Sequence, residues 1–110
     1  MAEITSTVEA PIEEITRRIV EALHPRRVIL FGSRATGRAQ ADSDVDVMVE
    51  METLLPPLER MRAVSRLFPR RRWAMDVVVF TPDEVREQRA FRNSLIRTIE
   101  AEGRVLYEQP

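Results

Sequence analysis

Val28-Ile-Leu-Phe-Gly-Ser-Arg-Ala-Thr-Gly-Arg-Ala-Gln-Ala-Asp-Ser-Asp-Val-Asp-Val-Met-Val49 decides how this chain folds. It reads as a strand (Val28–Phe31), a Gly32-Ser33 turn, a short helical or looped passage, and a second strand (Asp44–Met51). Side chains two apart on a strand share a face. Asp44 and Asp46 therefore project together, while Val45 and Val47 point the other way into a core. Two adjacent carboxylates repel and are hard to keep ionised without a cation between them. Mg²⁺, a hard cation that takes oxygen ligands, suits that pair.

Gly32 permits a sharp turn and close approach of the backbone to a ligand. Ser33 offers a hydroxyl and is placed to cap the helix that follows, whose first amides favour anions. A phosphate-holding turn and a metal-holding carboxylate pair, a dozen residues apart, together describe a nucleotide-triphosphate site. In the connection, Arg34 is the better placed arginine for neutralising phosphate charge and Arg38 the weaker; simple surface exposure is the alternative for both. Gly37 fits a tight turn. Ser43 either begins the second strand or orients the neighbouring carboxylate.

Outward from this stretch, Ile12, Ile15, Ile19 and Leu23 recur at three- and four-residue steps, which marks an amphipathic helix from about Ala10 to His24. Pro11, Glu13 and Glu14 suit its first turn, and Pro25 ends it. Met1–Thr7 is expected to fray. His24, the single histidine, fits a cap or surface group better than a catalytic base. Pro56-Pro57 opens a helix with Leu58, Met61, Val64, Leu67 and Phe68 on its inner face, and Pro69 stops it. Arg70-Arg71-Arg72-Trp73 reads as a solvated turn with Trp73 as anchor rather than a nucleic-acid patch.

Trp73–Phe80 is the third strand. It carries Asp76 among apolar residues, where a carboxylate is costly without a partner. A cation shared with Asp44 and Asp46 supplies one; an edge position or an arginine pair is the alternative. Thr81-Pro82 starts a further helix, with Asp83 and Glu84 in its first turn. Asn93 or Ser94 caps a last one, with Leu95, Ile96 and Ile99 on one face and Gly103 at its close. Arg104–Tyr107 adds a short strand. The alternation predicts an α/β (α+β) domain with a small mixed sheet flanked by helices.

Composition narrows the function classes. The chain has 110 residues, enough for one domain and one core. Seventeen basic and eighteen acidic residues leave a net charge of −1, which argues against a broad nucleic-acid surface. Every one of the seventeen is arginine, and there is no cysteine. Absence of cysteine excludes disulfides and thiolate metal sites and fits a cytoplasmic location. No apolar run is long enough to span a membrane, and the acidic N-terminus is no secretory signal.

Gly32-Ser33, ten intervening residues, then Asp44-Val45-Asp46 resembles the signature of the DNA polymerase β-like nucleotidyltransferase superfamily. The short length and the ending Ser94–Glu108 resemble its minimal nucleotidyltransferases, the antitoxins paired with HEPN-domain toxins. The resemblance covers the chain from about Val28 onward. It implies the nucleotidyltransferase fold over a single domain, residues 1–110. It also implies two Mg²⁺ ions on Asp44 and Asp46, with Asp76 as the third carboxylate beside the acceptor hydroxyl. Gly32, Ser33, Arg34 and Ser43 would then form the nucleotide-binding side, with ATP as substrate.

Some thirty residues follow Asp76, too few for the helical domain that binds acceptors in larger members. The acceptor is therefore expected from outside. The resemblance implies a hydroxyl, typically of tyrosine, on a HEPN-domain toxin that is silenced by AMP. Two other readings stand beside it: a non-catalytic antitoxin or nucleotide-binding module acting by contact, and a small-molecule nucleotidyltransferase whose substrate pocket a partner completes. Leu54, Leu55, Phe68, Trp73 and Phe91 are candidates for core or interface, and self-association or a complex with the toxin is expected.

Overall fold

The computed structural model describes residues 11–40 and 43–110. The order is α1 (Ile12–Leu23), β1 (Arg27–Phe31), α2 (Ser33–Thr36), β2 (Val45–Glu50), α3 (Pro57–Ser65), β3 (Met75–Phe80), α4 (Pro82–Arg89), α5 (Leu95–Glu102) and β4 (Arg104–Glu108). The strands form one sheet in the order β3-β2-β1-β4. β1 runs antiparallel to β2 and β4, and β2 runs parallel to β3, with α3 as the crossover. This is the mixed sheet with flanking helices that the alternation predicts. The expectation for Met1–Thr7 falls outside the described residues.

Strand alternation sorts the core into two layers. Val28, Leu30, Val45, Val47, Val49, Val77 and Val79 meet Ile15 and Ile19 of α1 and Val64 of α3. Ile29 and Met48, from the opposite face, meet Val85 of α4 and Ile96 and Ile99 of α5. α1 ends where His24 turns into the left-handed region (φ 50°, ψ 56°), its N–H donating to Val20 O at 3.0 Å. His24 is exposed, as a capping residue is expected to be. Thr81 and Glu84 form a reciprocal capping box at α4, and Ser94 Oγ accepts from the Arg97 amide at α5.

The inner face of α3 departs from the apolar pattern. Leu58 and Met61 are exposed at 55% and 40%, whereas Arg60 is buried. Arg60 donates to Leu55 O (2.7 Å), to Val79 O (3.3 Å) and to both Glu84 oxygens (2.7 and 3.3 Å), so one guanidinium joins α3, β3 and α4. A buried guanidinium survives because its donors are satisfied. This rotates Leu58 and Met61 outward. Leu95, also expected inward, is exposed too.

At one end of the sheet, Arg27 bonds Glu50 (2.6 Å) and Glu100 (2.8 Å), and Arg89 shares Glu100. Arg89 and Arg27 hold the Glu100 carboxyl down at about 2, against a partial burial that opposes them. Glu84 is likewise held low, chiefly by Arg60. No described helix is long and apolar enough to cross a membrane.

Candidate active site

At the other end, the register places Phe31, Asp46 and Asp76 in one row across β1, β2 and β3. Residues of a row share a face, so both carboxylates lie on the α4–α5 side, where Met48 and Val78 continue their strands inward. Asp44 sits just before β2, outside the strand that the sequence suggested would begin there. Val45 is pinned by its N–H to Ala74 O at 2.8 Å. One oxygen each from Asp44, Asp46 and Asp76 lies within 4.8 Å of the other two, close enough for one cation to touch all three.

The three are not equally placed. Asp46 is half-buried, whereas Asp44 and Asp76 are exposed. Asp76 lies on the outer part of β3, which begins at Met75 rather than Trp73. The burial penalty argued for Asp76 from its apolar neighbours thus falls on Asp46 instead. Burial pushes the Asp46 carboxyl up, and the charges of Asp76 and Asp44 push it further, with Arg34 pulling weakly the other way. A divalent cation would reverse that balance, since it offsets both the desolvation and the repulsion. The donor set is therefore a chemical fit to Mg²⁺.

Gly32 closes the site from β1. Its backbone (φ 75°, ψ −157°) lies in a region open to glycine, and an added Cβ would stand 2.2 Å from Asp46 Oδ2. Gly32 is the N-cap of α2, and Ser33 is its first residue. The N-cap position expected for Ser33 is therefore held by Gly32. Gly37 ends the turn in the left-handed region (φ 79°).

Residues 13–110 match the family model "Polymerase beta, Nucleotidyltransferase". The chain belongs to that nucleotidyltransferase family. No curated protein sequence matches it. A crystal structure of a candidate nucleotidyltransferase from Sulfolobus solfataricus superposes with a TM-score of 0.62 at 21% identity, covering 89% of this chain and 78% of that one. A toxin-antitoxin crystal structure with AMP-PNP superposes with a TM-score of 0.61 at 20% identity, covering 88% and 73%. At these identities the likeness is one of fold.

The remaining candidates of this nucleotidyltransferase domain are placed as follows. Ser33 and Arg34 are half-buried on α2 beside the acidic row. Arg34 Nε and Nη2 donate to the carbonyl of Ser43 at 3.2 and 2.8 Å. Ser43 Oγ accepts from the Gln40 amide at 2.8 Å, and Ser43 lies two residues before β2 begins at Val45. Arg38 is exposed and donates to Thr36 Oγ1 at 3.0 Å. Arg70, Arg71 and Arg72 are exposed, and Trp73 is half-buried, its ring edge-on to Phe68 at 6.4 Å. That is the solvated turn with an anchor.

Proposed function

We propose that this nucleotidyltransferase domain moves AMP from ATP to a hydroxyl, most simply of a tyrosine, on a HEPN-domain toxin, and so acts as its antitoxin. The observation that carries the reading is the convergence of Asp44, Asp46 and Asp76 beside the Gly32-Ser33 turn. The fold shared with a toxin-antitoxin solved with AMP-PNP, an adenosine triphosphate analogue, supports both the nucleotide and the partner class.

In this reading Asp44 and Asp46 would hold two Mg²⁺ ions, with Asp76 completing the set on the acceptor side. Bound there, such a pair supplies neutralisation of the triphosphate and stabilisation of the entering and leaving oxygens of an in-line displacement. Ser33 and the backbone after Gly32 orient the β- and γ-phosphates. Asp76, exposed at the open end of the row, accepts the acceptor's proton. The acceptor oxygen forms a bond to the α-phosphorus as the bond to pyrophosphate breaks, and pyrophosphate leaves.

The test uses ATP labelled at either the α- or the γ-phosphate, with Mg²⁺ and the protein encoded beside this one. Label should reach the neighbour from the α position only and disappear with Asp44→Ala. γ-Label on the neighbour would indicate a kinase and overturn the reading.

A further inference from the structure

Asp44 lies outside the ladder that fixes Asp46 and Asp76. β2 begins at Val45, so the place of Asp44 depends on its two flanking peptide groups. On one side the Val45 amide donates to Ala74 O. On the other, two prongs of the Arg34 guanidinium converge on the Ser43 carbonyl. Ser43 is held from behind as well: its amide donates to Gln40 O at 3.0 Å and its hydroxyl accepts from the Gln40 amide.

Arg34 projects from α2, the same four-residue helix that Gly32 caps. We propose that Arg34 is a positioning residue: by gripping the Ser43 carbonyl it locks Asp44 to the Gly32-Ser33 turn and so sets the carboxylate trio for a divalent cation. This rests on the metal-site reading above. Positioning and charge predict opposite signs. By charge alone, removing a cation beside three carboxylates tightens divalent-ion binding. Loss of an outer tie to a metal ligand weakens it, typically by about tenfold or more.

The experiment measures Mn²⁺ binding by electron paramagnetic resonance on the full chain, wild type against Arg34→Ala and Arg34→Lys. Amide hydrogen exchange across residues 43–45 is followed in parallel without metal. Arg34→Ala should raise the Mn²⁺ dissociation constant about tenfold and speed exchange across 43–45, leaving β1 exchange unchanged. Arg34→Lys keeps the charge without the fork; it should shift both readouts in the same direction by less, and it stands in if the alanine variant does not fold. Unchanged or tighter Mn²⁺ binding in the variants overturns the proposal, whatever the exchange shows. A wild type that takes up no Mn²⁺ refutes the metal-site reading, and unchanged exchange at 43–45 separately refutes the Arg34 tie.

Discussion

A methyl group on Gly32 would lie 2.2 Å from Asp46 Oδ2, so the turn and the half-buried carboxylate occupy one another's last free space. Gly32→Ala meets two costs. Its φ of 75° with ψ near −157° strains any L side chain, at about 1–3 kcal/mol. The Asp46 carboxylate must also swing away. The variant should fold with a lowered melting temperature and lose Mn²⁺ binding by more than its destabilisation accounts for. Calorimetry and metal titration on the same sample check this.

Asp46→Asn separates the metal-free from the metal-loaded state. The folded carboxyl is pushed up, first by burial and then by Asp76 and Asp44. A carboxyl raised on folding costs nothing below its unfolded value and destabilises increasingly as pH climbs past it. In chelator, Asp46→Asn should therefore melt higher than wild type at pH 7 and equally at pH 3. With millimolar Mg²⁺ or Mn²⁺ the order should reverse, because only the wild type gains stability by binding the ion.

Glu100 gives the opposite pH dependence. Its folded carboxyl sits at about 2, held by Arg89 and Arg27, below the ordinary 4.5. A depressed carboxyl contributes stability that is present above the unfolded value and lost as pH falls from about 4.5 to 2. Glu100→Gln should cost about 2 kcal/mol at pH 7, allowing for the partial exposure of Arg89, and almost nothing near pH 2. Urea denaturation at the two pH values checks this.

The parts of this structure legible in the sequence are those written in short spacings. The α1 stripe, the Gly32-Ser33 turn and the period-two placement of Asp46 against Val45 and Val47 needed only local rules. The elements of the mixed sheet followed from alternation. Three features needed partners that local periodicity does not reveal. Leu58 and Met61 fit an inner face by period, but the Arg60–Glu84 pair spans 24 residues, and it turned α3 so that Arg60 faces inward. Asp76 reads as buried among valines, yet it stands at the exposed start of its strand beside Asp46. Arg34 reads as a candidate phosphate ligand by position, and its guanidinium also meets the Ser43 backbone carbonyl, which no side-chain pattern marks.

Arg60 yields a further expectation. Arg60→Ala removes the donors to Leu55 O, Val79 O and Glu84 together. Glu84 keeps access to water, which softens the loss. The cost should be about 2–3 kcal/mol, below that of a fully buried pair. Denaturant midpoints should fall without a change in slope, and Mn²⁺ affinity should hold, because none of these contacts reaches the acidic row.

Under the proposed function the acidic row performs chemistry on a partner protein rather than merely docking to it. Intact-mass and peptide mass spectrometry of the protein encoded beside this one, recovered after coexpression with wild type or with Asp44→Ala/Asp46→Ala, tests it most directly. AMP on a single hydroxyl side chain with wild type, and an unmodified, still active neighbour with the double variant, is the expected result. A neighbour neutralised equally by both and carrying no AMP would contradict it.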